Sequence, residues 1–184
     1  MVLEQGGATG SRVEEWLWNV SRKVADGAKD KYERSSQVGD YMNMQTEIDE
    51  AIRMGLVGCL LQFHIKLKLT TEVIFLAVHI LDQYLSVNLV AGKEFPLVGL
   101  TALVLAGKYE EDSGIPVGDY VNVAEGVYSK KQILDMEKLI LRKLGWTLAI
   151  PTTYHFLVRF IKAAEADKEM ENTIIYFAKS GLMQ

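Results

Sequence analysis

Apolar residues in this chain recur at the spacing of helix faces, and in its middle they nowhere alternate as strand residues would. A first core helix is predicted over about 45–66, with Ile48, Ile52, Cys59 and Phe63 near one face. Gly55 and Gly58 inside it together cost about 2 kcal/mol relative to Ala. That cost points either to a close approach by another backbone or to a weakened helix. Thr70 or Thr71 can cap a second helix, about 72–86, with Glu72 in its first turn. Pro96 suits the first turn of a third, whose run 95–107 carries no charge and must be surrounded by protein on nearly all sides. Gly99, Ala102 and Ala106 lie on one stripe of it and let neighbouring helices come close. A short fourth helix is predicted over 117–123 behind Pro116. A fifth follows over 130–144, capped by Ser129 and stopped by Gly145. Five helices so spaced make one bundle.

Outside this bundle the pattern weakens. Residues 1–12 are Gly-rich, and 27–39 read as polar connection. Between them Val13, Trp16, Leu17 and Val20 outline an amphipathic helix over about 12–29. Downstream, Pro151-Thr152-Thr153 opens a helical run over 154–164, and a further amphipathic run covers 170–182. Proline stands only at 96, 116 and 151, so the fold class is all-α. The expected division is a partly helical extension over 1–40, the bundle over 41–149 and a helical segment over 150–184.

Composition narrows the classes. The chain has 184 residues, 49% hydrophobic and 24% charged, which suits one soluble globular domain or one domain with a fragment of another. A net charge of −4 offers bulk electrostatics nothing with which to hold nucleic acid. Cys59 is the sole cysteine, so no intrachain disulfide can form. Met1 precedes a polar stretch, so no signal peptide is expected, and the run 95–107 is too short to span a membrane. His64, His79 and His155 lack metal-ligand spacing with one another or with Cys59. No nucleophile motif, phosphate loop or Cys/His pair stands at useful spacing. The chain is therefore expected to be no enzyme and to take no metal, cofactor or small-molecule ligand.

The informative chemistry sits where the uncharged third helix stops, at Lys108-Tyr109-Glu110-Glu111. A lysine at the edge of a buried environment is costly unless paired, so Lys108 is expected to have a partner. Lys108 shares a helix face with Val104 and Leu105. Glu137 lies at helical spacing with Leu134 and Leu141, a carboxylate on an apolar stripe. Charges ringed by apolar side chains are a layout of binding hot spots. The residues alone also allow Lys108 and Glu137 merely to pair with each other or to reach solvent. Lys130-Lys131 and Glu110-Glu111-Asp112 read as solvated faces, with Glu110 and Glu111 placed to brace Lys108.

A set of segments gives this chemistry a setting. In order they are Asp40-Tyr41-Met42, Gln45, Glu47-Ile48, Arg53, Lys68-Leu69-Thr70-Thr71-Glu72, Leu76-Ala77-Val78, Leu81-Asp82 and Tyr84-Leu85-Ser86. Leu97-Val98-Gly99, Lys108-Tyr109-Glu110-Glu111, Tyr128-Ser129-Lys130-Lys131-Gln132-Ile133-Leu134, Met136-Glu137, Pro151-Thr152, Phe156-Leu157 and Phe160 follow. Together they resemble the cyclins, most closely the mitotic B-type, over about 41–184. The resemblance implies a five-helix cyclin box over 41–149 and a second cyclin fold that is cut off within 150–184. It implies a regulatory subunit that binds and activates a cyclin-dependent serine/threonine kinase of the PSTAIRE type, in G2/M control, in the nucleus and cytoplasm. In cyclins the lysine matching Lys108 and the glutamate matching Glu137 hold the mobile αC helix of the kinase and nearby backbone. Leu105, Tyr109, Leu141, Trp146 and Leu148 match the apolar contacts around them, although Trp146 and Leu148 could as easily be core. Arg53 and Asp82 match a family ion pair between the first two helices, whose role is structural.

The chain departs from the family in its first helix. A docking patch of Met-Arg-x-Ile-Leu followed by tryptophan is usual there. Here Ile52-Arg53-Met54-Gly55-Leu56 stands in its place, Cys59 takes the tryptophan position and Gln62 that of a following acid. Phe95-Pro96 replaces leucine-glutamine at the other edge. That groove captures short Arg-x-Leu segments, so losing an isoleucine side chain and an indole should weaken substrate docking. Residues 1–40 carry no Arg-x-x-Leu destruction box. Two other readings stay open. One is a degenerate cyclin that binds kinase without selecting substrates. The other is a cyclin-box adaptor for transcription factors or nucleic acid, against which the acidic charge and the Lys108 and Glu137 pair argue.

Overall fold

The computed structural model describes residues 41–112, 114–148 and 151–184. The helix expected over 12–29 lies outside them. A 3-10 turn at Met42–Met44 leads into α1 (Glu50–Lys66), α2 (Thr71–Val87), α3 (Phe95–Glu110), α4 (Val117–Val123) and α5 (Lys130–Lys143). Two more helices follow, α6 (Thr153–Ala163) and α7 (Lys168–Gly181), and the described residues contain no strand.

α1 begins later than its hydrophobic pattern suggests, because Gln45 has another task. Its buried side-chain amide donates to the carbonyls of Leu85 (2.8 Å) and Asn88 (2.7 Å) and accepts from the Val90 N–H (3.1 Å). These bonds satisfy the backbone where α2 ends, and they hold Gln45 in extended backbone outside the helix. The helix starts at Glu50, where the Asp49 carboxylate accepts from the Ile52 N–H (2.8 Å). Its inward face is Arg53, Val57, Leu60 and His64. The expected face is corrected: Ile52 and Cys59 point outward, Phe63 is half-buried, and Ile48 is buried ahead of the helix. Two polar side chains take inward positions because the fold supplies them with partners, which hydropathy cannot register. A Cβ added at Gly55 or Gly58 would meet nothing within 4 Å, so no close backbone approach explains these glycines among the described residues.

α3 is the axis of the box and packs against α1, α2, α4 and α5. Every residue from Val98 to Gly107 is buried. The small-residue stripe does bring a neighbour close: a Cβ on Gly99 would come within 2.7 Å of the Leu56 side chain. At the far end a Cβ on Gly107 would overlap the Tyr120 hydroxyl, so glycine there admits the α4 tyrosine that plugs the box. The end of α3 is tied to the start of α2 by Glu111, whose carboxylate accepts from the Thr70 N–H (2.7 Å). α5 is capped as expected by Ser129, in a reciprocal box with Gln132, and is closed by Gly145 at φ +60°. α6 packs on α2, with Tyr154 and Phe75 rings 5.5 Å apart and Ile161 buried, whereas α7 buries no residue fully.

Candidate functional site

Lys108 is the first charged side chain after the uncharged run of α3, and it finds the partner its position demands. Its ammonium donates to both Glu137 carboxylate oxygens, at 2.7 and 2.8 Å. The Lys108 side chain is 39% exposed and that of Glu137 only 13%, so the pair lies at a water boundary with its anion mostly inside. Glu137 is held there by α5, whose half-buried Leu134 and Leu141 flank it. The expected bracing by Glu110 and Glu111 is corrected. Glu111 is spent on Thr70, and half-buried Glu110 lies in the fields of His155 and Glu72, with burial chiefly raising its pKa.

The apolar positions around this pair divide into presented and supporting side chains. Tyr109 is 51% exposed and Trp146 is 69% exposed. Trp146 follows Gly145 in left-handed backbone, at φ +61°, and its N–H donates to the Leu141 carbonyl (2.9 Å). A bulky residue costs about 1–2 kcal/mol in that conformation, which is tolerated here by the closing turn of α5. Leu141 is half-buried, and Leu148 lines a cavity of about 280 Å³ with Leu144, Val87 and Ile80. Trp146 is thus no core residue and Leu148 partly is. Leu105 is 3% exposed, so it supports this surface from beneath and offers no face to a partner. The reason is the central place of α3: only its two end turns emerge from the surrounding helices.

A second polar cluster lies at the other end of α1. Arg53 donates from Nε to Asp82 Oδ1 (2.9 Å) and from Nη2 to Oδ2 (2.7 Å). Tyr41 completes it, its hydroxyl donating to Asp82 Oδ1 (2.5 Å) and accepting from Arg53 Nε (3.0 Å). Burial opposes the Arg53 charge, but the hydrogen bonds and charge of Asp82 outweigh it and hold the guanidinium more firmly protonated. Burial, then Asp82, pushes the Tyr41 phenol well above its usual range. The pair was legible in the sequence. Tyr41 was not assigned to it, although it stands in a quoted segment, and the bonds from Arg53 Nη1 to the carbonyls of Leu182 (3.1 Å) and Gln184 (3.3 Å) left no signal. Among the described residues no cluster of histidine, cysteine and carboxylates could hold a metal.

The cluster of paired charges at the end of a buried central helix is set in a region, residues 23–149, that matches the family model "Cyclin, N-terminal domain". The chain belongs to the cyclin family. Among its relatives are cyclin-B1-2 of Arabidopsis thaliana, 48% identical over 151 residues, and G2/mitotic-specific cyclin-2 of Antirrhinum majus, 42% identical over 152 residues. Each match covers 82% of this chain and 34% of the relative, so the chain spans about a third of their length. The solved structure of a viral cyclin from herpesvirus saimiri superposes with a TM-score of 0.75, covering 88% of this chain and 72% of that one. At 19% identity this likeness shows the fold.

The positions at which the resemblance places a docking patch do not all lie at the surface. Ile52, Gly55, Cys59 and Gln62 all lie exposed on the outward side of α1. Phe95, expected at the other edge of the patch, is corrected: it is 1% exposed, packed into the core as the first residue of α3. Its ring is apolar and turns inward because the core lies directly beneath the start of the helix. What is left outside on α1 carries Ile52, Met54 and Ile65 as its exposed large apolar side chains.

Proposed function

We infer that this cyclin is the regulatory subunit of a cyclin-dependent serine/threonine kinase of the PSTAIRE type, acting at G2/M. The observation that carries this reading is the bidentate pair of Lys108 and Glu137 at the exposed end of α3, beside presented Tyr109 and Trp146. The mitotic B-type relatives favour the G2/M assignment. Kinase catalysis requires the αC glutamate to meet the lysine that holds the ATP phosphates. A surface that packs better against αC in its inward position shifts the kinase population toward the active state by that difference in affinity. Lys108 and Glu137 already satisfy each other, so their geometry is set before binding and little ordering is left to do on contact. The role is regulatory and non-catalytic, exercised where the kinase is found, in nucleus and cytoplasm.

The test is co-elution of the purified protein with a PSTAIRE-type kinase, against a variant carrying Lys108→Glu and Glu137→Ala. Binding by wild type and its loss in a folded variant supports the reading, and histone phosphorylation by the complex then reports activation. A folded wild-type protein that does not bind sinks it. A second reading, kinase binding without productive substrate docking, is favoured by the small Gly55 and Cys59 exposed on α1 and by the inward Phe95. A kinase complex active on histone yet indifferent to an added Arg-x-Leu peptide would support it.

A further inference from the structure

Arg53 is 8% exposed, and most of its donors are committed inside the box to Asp82 and Tyr41. Its remaining nitrogen, Nη1, is aimed at the chain after α7, donating to the carbonyls of Leu182 and Gln184. These are charge-assisted bonds to backbone, stronger than neutral ones, and the packed side chains of Leu182 and Met183 set where those backbone oxygens lie. Leu182 and Met183 pack on the core beside them, and Leu182 closes one side of a cavity of about 110 Å³ with Phe75, Asp82 and Thr152. The helix they follow has little hold of its own. No residue of α7 is fully buried, and its Tyr176 and Phe177 are 67% and 66% exposed.

We propose that residues 182–184 are a strap that fastens α7 to the box through Arg53, so that α7 opens while α1–α6 stay folded. When the strap lifts, Nη1 exchanges two carbonyls for water and keeps its ion pair with Asp82. Opening therefore spares the junction of α1 and α2 and uncovers the surface around Phe75, Val78 and Thr152. Segments with few buried apolar groups open locally at free energies below that of global unfolding.

Amide hydrogen exchange on the full chain tests this, comparing wild type with the double variant Leu182→Ser, Met183→Ser. The expected result is at least tenfold faster exchange across α7, with the amides of 100–105 in α3 changed less than twofold. Leu182→Ala alone, a milder change, should give the same pattern at smaller size. Unchanged exchange in α7 would show that the strap does not hold this helix. Equal acceleration in α3 would show that α7 is no separate unit. Either outcome overturns the proposal.

Discussion

At the scale of single residues, this molecule is decided by a few side chains whose surroundings contradict their usual behaviour. Tyr120 is fully buried, and its hydroxyl finds no hydrogen-bond partner among the described residues. Burial, with help from Glu111 and Asp119, pushes its pKa up to about 12, so the phenol is neutral at physiological pH. It lies against Gly107, where a Cβ would overlap it. Gly107→Ala should therefore cost about 2 kcal/mol, the size of an overpacked core. Removing the hydroxyl with Tyr120→Phe should recover most of that loss, and urea unfolding of the two single variants and the double variant measures the coupling. Additive losses would refute the contact. His64 is the second such residue. Its Nε2 faces the Thr70 carbonyl at 2.9 Å and must carry the proton, which leaves Nδ1 as a buried acceptor without a partner. Burial chiefly lowers its pKa; the Thr70 carbonyl and Glu111 favour the charge, and Lys179 opposes it. Burial lowers His79 likewise. A histidine depressed in the folded state leaves the unfolded chain binding more protons, so its share of stability is whole above about pH 6.5 and drains as pH falls below it. Unfolding midpoints should fall from pH 7.5 to pH 5.5, with a slope of at most about 1.4 kcal/mol per pH unit for each histidine. His64→Gln keeps the donor to Thr70 and should flatten that decline. An unaltered decline would remove His64 from the account.

At the scale of elements, the helices were largely written in the sequence, and the exceptions have identifiable causes. α4 was located to the residue because Pro116 precedes it, and α5 to within one residue because Ser129 and Gly145 bracket it. Such signals act through the backbone within a few residues and need no tertiary partner. The start of α1 was placed too early because the role of Gln45 is set by carbonyls some 40 residues away in sequence. The inward face of α1 was missed for the same reason: Arg53 and His64 are core residues only once Asp82 and Thr70 are beside them. The glycines of α1 offered two explanations, and the empty space around them leaves a plain propensity cost. Gly55→Ala and Gly58→Ala should each stabilise the protein by about 0.5–1 kcal/mol, read as a rise in the urea midpoint. A fall at either position would mean that something approaches there after all.

At the scale of the whole molecule, stability and binding are assigned to different places. Arg53 and Asp82 lie within the box, where breaking a buried pair costs about 3–5 kcal/mol. Lys108 and Glu137 stand at its surface, where such a pair adds about 0–1 kcal/mol to folding. On the proposed reading their removal would cost a kinase complex more, because losing one member would leave the other charge buried and unpaired in the interface. In the kinase experiment, Glu137→Ala alone should weaken binding by about 2–4 kcal/mol, as a hot spot does. The same variant should leave thermal unfolding nearly unmoved. A variant that loses stability as much as affinity would place the pair in the fold and not in the interface.

The sequence by itself determined the all-α class, the order of the helices, the cap and stop of α5, the family segments and the need for Lys108 to be paired. Each of these depends on local backbone chemistry or on a spacing that a helix makes visible. The tertiary structure alone decided that Leu105 and Phe95 are buried while Trp146 is presented, that Tyr41 joins the Arg53 and Asp82 pair, and that Leu182 is received by Arg53. Hydropathy ranks side chains by what they prefer. Which preference is granted depends on the neighbours that packing brings from elsewhere in the chain, and a central helix such as α3 grants burial to nearly all of its residues and exposure only to its first and last turns.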